Sequence, residues 1–192
     1  MELTLHDEQM MRLAIAEAIA AQSAGEVPVG AIVTAPDSTT ILGRGQNRVL
    51  RDSDPTAHAE IVALREAGRA LRNYRLTDCN LFVTLEPCAM CASAILHARI
   101  GRLIYAATDP KAGACGSVLS VMNHPQLNHK AEVTAGLLAE ECGNMLTNFF
   151  LERRGKKPLN SHPTNSEDAS AGAPDDNKEV VGEGNDRFDP PG

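Results

Sequence analysis

Short apolar runs alternate with longer segments of helical period along most of this chain, and that alternation constrains its fold more than any other feature. Strands are predicted in PVGAIVTA and TTILGRGQN, joined by a Pro-Asp-Ser turn, and then in CNLFVTLE, GRLIYAAT and AEVTAG. Helices are predicted over 7–24, 56–72, 87–99 and 138–154, where apolar residues recur at helical spacing. Strands that alternate with helices after an initial hairpin predict an α/β sandwich with a mixed sheet.

The second predicted helix, 56–72, begins in an unusual way. Its inward face is predicted to consist of the apolar positions Ile61, Leu64, Gly68 and Leu71. The first turn of such a helix is normally a cap followed by polar residues. Here it contains His58 and Glu60, a metal-ligand type and a proton-transfer type that are two residues apart.

The last part of the chain differs in composition from the rest. From Gly155 to Gly192 there are four basic and eight acidic residues, a net charge of −4, and few apolar side chains. Such a segment cannot bury enough apolar surface to offset its ordering entropy, so we predict a disordered acidic tail over 155–192. Residues 1–154, with a net charge of −3, are predicted to form one domain. This domain is close to neutral, so a local basic patch for nucleic acid is compatible with it.

Composition also bears on the cellular compartment. The segment ELTLHDEQMMRLAIAEAIA is acidic and amphipathic, and it lacks the basic and apolar regions of a signal peptide. Charged residues interrupt every apolar run before it reaches membrane-spanning length. The five cysteines are an odd set without disulfide-like spacing, which favours a reducing compartment. We therefore expect a cytoplasmic protein without a membrane partner.

Cys88 and Cys91 are the first candidates for chemistry. Because they are three residues apart on a predicted helix, they are separated by about 60° of arc and share one face. Unpaired backbone N–H groups and the helix dipole stabilise thiolates at a helix N-terminus, and the thiolate is the form that binds metal. The pair alone is compatible with a redox dithiol, half of a structural zinc site or core packing.

A third candidate ligand, His58, lies thirty residues before Cys88 and also at the start of a predicted helix. The strand between them returns the chain to the same edge of the sheet, where α/β proteins gather ligands. One histidine and two thiolates are a three-ligand zinc set that leaves a position open for water. A structural site would need a fourth ligand. Cys79 and His97 are poorly placed for that role, whereas Cys115, on a loop, stays open.

Glu60 favours a catalytic site over a structural one. Two thiolates cancel the charge of Zn²⁺ and weaken it as a Lewis acid, so bound water benefits from a neighbouring base. A structural zinc needs no such group. On an ideal helix His58 and Glu60 would point apart, so they converge only if His58 lies in an irregular first turn. We predict that His58, Cys88 and Cys91 bind one Zn²⁺ and that Glu60 is catalytic.

A family resemblance rests first on two motifs, His58-Ala59-Glu60 and Pro87-Cys88-Ala89-Met90-Cys91. Together they match the established signature of the zinc-dependent nucleoside and nucleobase deaminases. The resemblance extends over roughly residues 5–154 through EVPVGA, GRGQNR, DPTAHAEIVALREA, NHPQLNH, FFLERR and the run from NYRLTD to GACGS. In these stretches the chain is similar to bacterial tRNA-specific adenosine deaminases. The resemblance implies a three-layer α/β/α cytidine-deaminase-like sandwich around a mixed five-stranded sheet.

The resemblance also implies an activity, the conversion of adenosine to inosine at the wobble position of an arginine tRNA by a homodimer. Glu60 would take a proton from the zinc-bound water, pass it to adenine N1 and later protonate the departing amine. The target base must be unstacked to reach the metal, so the implied partner is the anticodon stem-loop of tRNA. No nucleotide cofactor is implied.

Five further residues are predicted to bind the substrate: Asn47, Asp109, Lys111, Arg153 and Arg154, of which all but Asp109 match positions of the family. The resemblance implies that Asn47 contacts the flipped nucleotide and that the basic residues contact phosphates. From the residues alone, Asn47 could equally be a turn residue that caps its strand. Asp109 could recognise a sugar hydroxyl or shape its own turn. The two arginines could be ordinary favourable charges at a helix C-terminus.

Three alternatives remain open at this point. A small-molecule deaminase of the same fold would use identical zinc chemistry on free cytosine, guanine or a pterin-like base, although the TDPKAGACGS and FFLERR loops favour RNA. A non-catalytic RNA-binding subunit with a structural zinc would be expected to lack the glutamate, and Glu60 is present. A redox pair of Cys88 and Cys91 leaves His58 and Glu60 unexplained.

One departure from the family is Thr108, where relatives can carry an arginine.

Overall fold

The computed structural model describes residues 3–159. In chain order the elements are α1 (Leu5–Ser23), β1 (Gly30–Thr34), β2 (Ile41–Gln46), α2 (Val49–Asp52), α3 (Ala59–Leu71), β3 (Asn80–Leu85), α4 (Ala89–Ala98), β4 (Arg102–Ala107), β5 (Glu132–Ala135) and α5 (Ala139–Arg153). The five predicted strands and four predicted helices are therefore present. The short helix α2 was not predicted, because four residues carry no periodic signal.

The five strands form one mixed sheet in the order β2-β1-β3-β4-β5. β1 pairs antiparallel with both β2 and β3, whereas β3, β4 and β5 pair in parallel. Only β1 therefore runs in the opposite direction. As a consequence, the carboxyl ends of the other four strands lie at one edge of the sheet, and the segments that follow them are brought together there.

Helices cover both faces of the sheet and create two separate cores. On one face, α1 and α5 pack on the sheet. Met11 of α1 and Cys142 of α5 share a core there with the strand residues Ile32, Phe82 and Ile104. On the other face, α3 and α4 pack with neighbouring strand residues such as Leu81, Val83 and Leu103. This division follows from the alternation of side chains along each strand, since Leu81 and Val83 point opposite to Phe82. The predicted three-layer α/β/α sandwich with a mixed five-stranded sheet is confirmed.

Two helices begin later than predicted, and both differences concern candidate ligands. The helix expected from Thr56 begins at Ala59, and His58 is its N-cap in an extended conformation with φ −69° and ψ 154°. The helix expected from Pro87 begins at Ala89, and Cys88 is its extended N-cap. Cys88 is therefore not in a first helical turn, as predicted, but immediately before it. Both residues are outside the regular helix and can aim their side chains independently of its periodicity.

The buried face of α3 includes Ile61 and Leu64, as predicted, but it also contains a row of alanines that the apolar pattern did not single out. Ala59, Ala63 and Ala67 are fully buried, whereas Leu71 is 43% exposed. The helix approaches β2 so closely that a Cβ at Gly45 would lie 2.0 Å from the Ala59 carbonyl oxygen. Only small residues fit such an approach. Ile61 and Leu64, each 9% exposed, also line a groove beside α4, together with Gly68.

The C-terminal prediction is only partly covered by the structure. α5 ends at Arg153, and the chain is described to Leu159. The predicted acidic tail lies, from residue 160 onward, outside the described residues. Within residues 3–159, no helix is both long enough and apolar enough to cross a membrane.

Candidate active site

The residues singled out from the sequence meet at the edge of the sheet where four strands end. Asn47 directly follows β2, Cys88 follows β3 by three residues, and Asp109 follows β4 by two. α3 and α4 both begin at this edge, so their N-termini bring His58 and Cys91 to the same place. Because the topology is fixed by the central strands, residues thirty or more positions apart in the chain become neighbours here.

His58, Cys88 and Cys91 form the group of possible metal ligands within residues 3–159, with ligand atoms within 4.8 Å of one another. His58 Nδ1 lies 3.7 Å from Cys88 Sγ and 3.5 Å from Cys91 Sγ. A nitrogen and a sulfur bound to one tetrahedral zinc at ordinary bond lengths are separated by about 3.6 Å. The two nitrogen–sulfur distances are thus those of a tetrahedral zinc site, and three ligands leave a fourth position open.

His58 is placed by a compact turn and by a side chain from another segment. The Asp54 carboxylate accepts hydrogen bonds from Thr56 N and Oγ1, at 2.8 and 2.7 Å, and this closes the turn that leads to His58. Asn47 Oδ1 accepts a hydrogen bond of 3.0 Å from Ala59 N, the first N–H group of α3. Asn47 therefore caps this helix rather than its own strand. The cap leaves His58 extended and directed at the two sulfurs.

The two cysteines have strongly different affinities for a proton. Contact with the Cys91 thiol, and then with the His58 imidazole, lowers the pKa of Cys88 to about 3. Contact with the Cys88 thiolate, and then burial, raises the pKa of Cys91. Without a bound cation, the pair therefore consists of a thiolate at Cys88 and a thiol at Cys91. A divalent cation between the sulfurs favours ionisation of both, because its charge stabilises each thiolate.

Glu60 is the second residue of α3, two positions after His58. It is 4% exposed, and burial raises the pKa of its carboxyl group above the ordinary range. The carboxyl group interacts with the side chain of Cys91. A glutamate with a raised pKa takes up a proton more readily than an exposed one, which suits a group that must accept a proton and then release it.

A cavity of about 380 Å³ opens onto this group. Its volume is within the range of small-molecule sites, about 300–1,000 Å³. Three of the five predicted substrate residues line it: Asn47, Asp109 and Arg153. The Arg153 guanidinium is held there by a 2.8 Å hydrogen bond from Nη2 to the Gly25 carbonyl oxygen and lies 5.0 Å from the ring centroid of Phe149.

The other two predicted substrate residues are not part of the cavity lining. Lys111 is exposed on the loop after β4, where its backbone N–H donates to Asp109 Oδ1 at 2.9 Å. Arg154 is exposed at the end of α5, and its Nε donates to the Phe150 carbonyl oxygen at 3.0 Å. Both are thus positioned to contact only groups that extend beyond the cavity.

Cys115, the fourth ligand that the sequence left open, does not join the metal-ligand group. Its thiol is buried, and burial raises its pKa to about 12. Cys79 and His97 also lie outside the group. Three protein ligands with one open position are therefore the arrangement that the described residues provide.

Two carboxylates in the cavity lining, Glu26 and Glu86, had no role in the sequence analysis. Each is 2% exposed. Glu26 Oε1 accepts a 2.8 Å hydrogen bond from Arg51 N of α2, and Glu86 accepts several from the loop after β4. Glu86 could have been recognised from the sequence because it is an acidic residue at the end of a buried strand and directly precedes Pro87 and Cys88.

The fold and this site together define a deaminase. Residues 5–154 match the model of the MafB19-like deaminase family. The chain is 50% identical to the tRNA-specific adenosine deaminase of Haemophilus influenzae over 153 residues, which cover 80% of this chain and 88% of the relative. It is 42% identical to the enzyme of the same name from Bacillus subtilis, over 79% of this chain and 92% of that one. The chain belongs to the family of tRNA-specific adenosine deaminases.

Solved structures agree with this assignment. A structure from a study of A-to-I editing by tRNA:A34 deaminases is 43% identical, with a TM-score of 0.69, and the match covers 72% of this chain and 99% of that one. A guanine deaminase from Nitrosomonas europaea is 27% identical, with a TM-score of 0.63, over 74% of this chain and 83% of that one. The fold is therefore shared by deaminases of RNA and of free bases.

Proposed function

We propose that this protein converts adenosine 34 of tRNA(Arg), the wobble position of the anticodon, to inosine by hydrolytic deamination. The observation that carries the proposal is the buried Glu60 beside the His58, Cys88 and Cys91 group, in a cavity that can receive one base. Two relatives named tRNA-specific adenosine deaminase and the solved structure from the study of tRNA:A34 deaminases support the choice of substrate. Adenosine and water would give inosine and ammonia, so no further reactant is needed.

We propose that one Zn²⁺ per chain is held by His58 Nδ1 and the sulfurs of Cys88 and Cys91. Support comes from the two nitrogen–sulfur distances, 3.7 and 3.5 Å, and from a donor set of one imidazole and two thiolates. When bound, the ion lowers the pKa of a water molecule in the open position and so supplies a nucleophile.

Glu60 would then move protons between the water and the base. As a carboxylate it accepts the proton released by the water, and as a carboxylic acid it donates that proton to adenine N1. The N1 proton makes C6 more electrophilic. A second proton accepted from the attacking oxygen passes through Glu60 to the departing amine, which leaves as ammonia. The carboxylate is regenerated, so Glu60 needs no other residue to complete the cycle.

Residues of the cavity wall would orient the flipped nucleotide. Asn47 Oδ1 is used by the α3 cap, which leaves the Nδ2 amide to donate to the substrate. Asp109 Oδ1 accepts from Lys111 N and Ala112 N, so Oδ2 can accept a ribose hydroxyl. We propose that Arg153 binds a phosphate at the cavity, and that Lys111 and Arg154 bind phosphates of the anticodon stem-loop outside it.

The alternative with independent support is a deaminase of free bases. The structural similarity to a guanine deaminase supports it, but at 27% identity compared with 43% for the A34 deaminase. A non-catalytic RNA-binding zinc subunit is less well supported because Glu60 is present and buried. A redox pair of Cys88 and Cys91 does not account for a histidine 3.5 Å from one of the two sulfurs.

We also propose that the protein is a homodimer. The groove between α3 and α4 is a cavity of about 750 Å³ that is lined by the buried Ile61 and Leu64 and the half-buried Met90 and Ala94. Apolar grooves at a protein surface are typical of protein–protein interfaces. Sedimentation velocity should give twice the chain mass of 20.5 kDa. A species of single-chain mass at assay concentrations would exclude the dimer.

The substrate is tested by incubating the protein with an arginine tRNA anticodon stem-loop that carries wobble adenosine, beside free adenosine, cytosine and guanine. We expect inosine in the RNA and no ammonia from the free compounds, because Arg153, Lys111 and Arg154 need phosphates to bind. A stem-loop with guanosine at the wobble position is the matched control. Ammonia from a free base, with no inosine in the RNA, would keep the chemistry and reject tRNA as the substrate.

A further inference from the structure

Glu86 links the metal-ligand end of α4 to the loop after β4. It is 2% exposed and precedes Pro87 and Cys88. Its Oε1 accepts hydrogen bonds from Cys115 N at 2.9 Å and from Ser117 N at 3.1 Å. Its Oε2 accepts from Asp109 N at 3.0 Å and from the Ser117 hydroxyl group. One buried carboxylate therefore binds both ends of the segment 109–117.

The segment 109–117, which we call the anchored loop, is shaped around this carboxylate. A Cβ added at Gly113 would lie 2.5 Å from Glu86 Oε2, so only glycine fits there. The loop is also joined to the chain beside Glu86, because Ala114 N donates to the Pro87 carbonyl oxygen at 2.8 Å. Asp109 and Ala112 of the same loop line the cavity. The position of Glu86 thus determines where this wall of the cavity lies.

We propose that Glu86 is a positioning residue for substrate binding, which acts through the anchored loop and holds Asp109 and Ala112 against the bound nucleotide. This inference rests on the proposed function. Glu86 has no place in the proton path, since the loop bonds occupy both of its oxygens. Glu60 and Cys91 belong to α3 and α4, and His58 caps α3. Cys88 is bridged to Gly113 of the loop, but its carbonyl oxygen also accepts a 2.8 Å hydrogen bond from Ala92 N of α4, which holds it independently of Glu86. A change at Glu86 should therefore alter binding more than the chemical step.

The test is the substitution Glu86→Gln, which keeps the shape of the side chain but replaces one acceptor oxygen by an NH₂ group. That group faces N–H donors of the loop, so at least one anchor bond is lost. We expect KM for the anticodon stem-loop to rise about tenfold while kcat changes less than about twofold. Zinc content should remain that of the wild type. Amide hydrogen exchange at Asp109, Cys115 and Ser117 should accelerate about tenfold.

Asp37→Asn is the matched control. The Asp37 carboxylate also anchors a turn, since it accepts hydrogen bonds from Thr39 N, Thr40 N and Thr40 Oγ1 at 2.8, 2.9 and 2.8 Å. This turn joins β1 to β2 at the edge of the sheet opposite the cavity. Loss of its anchor should accelerate exchange locally at Thr39 and Thr40 and leave KM unchanged.

Ser117→Ala provides a second approach if Glu86→Gln does not fold. It removes the hydroxyl bond and leaves the carboxylate in place, so KM should rise by about threefold. In the double variant the two effects should be less than multiplicative, since both act on one set of bonds. An unchanged KM with faster exchange in the loop, or a loss of kcat with an unchanged KM, would overturn the proposal. Absence of inosine with the wild type would instead reject the proposed function.

Discussion

Replacing Glu60 by glutamine is expected to lower kcat for inosine formation by about 10³-fold, because general acid–base catalysis is worth about 10²–10⁴-fold. Glutamine has the same shape and can fill the buried site, but it can neither accept the proton of the water nor return it to the amine. We expect zinc content and KM to remain close to those of the wild type, since Glu60 is not among the three ligand residues. Rates, zinc content and KM are measured on the same preparation.

Glu66→Gln on the same helix is the control for this prediction. Glu66 is exposed, and its Oε2 accepts a 2.9 Å hydrogen bond from Arg44 N on β2. The substitution therefore changes an equivalent charge at a distance from the cavity, and kcat should be unaffected. If Glu60→Gln kept more than about a tenth of the wild-type kcat, another residue would have to carry the protons, and the assignment of Glu60 would be wrong.

Replacing Cys88 by alanine is expected to remove the metal and, with it, detectable deamination. Two remaining ligands, one imidazole and one thiolate, do not form a tetrahedral site, so zinc should fall below about a tenth of an ion per chain. Elemental analysis measures this directly. The wild-type protein should also lose thermal stability when a chelator is added, because a ligand that binds only the native state stabilises it. The variant should show no response to the chelator.

Cys142→Ala separates loss of a ligand from loss of a buried sulfur. Cys142 is 1% exposed in the core between α1, α5 and the sheet, and burial raises its pKa to about 12. We expect this variant to be less stable but to keep one zinc per chain, its response to the chelator and its activity. Full zinc content in Cys88→Ala would mean that another residue completes the site, and the three-ligand set would be incorrect.

The order of elements and the grouping of His58, Cys88 and Cys91 could be predicted because both depend on short-range sequence patterns. The strands are short apolar runs with turn residues between them, and the ligands lie at helix starts that follow such strands. The exact starts of α3 and α4 could not be predicted, since a cap and a first helical turn contain the same residue types. His58 is a cap because Asp54 closes the preceding turn and Asn47 bonds to Ala59 N.

Two other features depend on contacts between distant segments, which periodicity does not report. The alanine side of α3 packs on β2 because Gly45 lets the two backbones approach closely, whereas Leu71 at the end of the predicted face is exposed. Glu86 is recognisable as an anchor only when Asp109, Cys115 and Ser117 are seen around it. In the sequence it is a glutamate beside a more conspicuous cysteine motif.

The central position of β3 also has a consequence for the order in which the molecule assembles. Its neighbours are β1, which precedes it, and β4, which follows it, and Cys88 reaches His58 only through the end of β3. β3 must therefore have paired with its neighbours in the sheet before the three ligands can bind one ion. We infer that the metal binds late and stabilises a chain that has already folded, in contrast to small zinc modules whose folding begins with the metal.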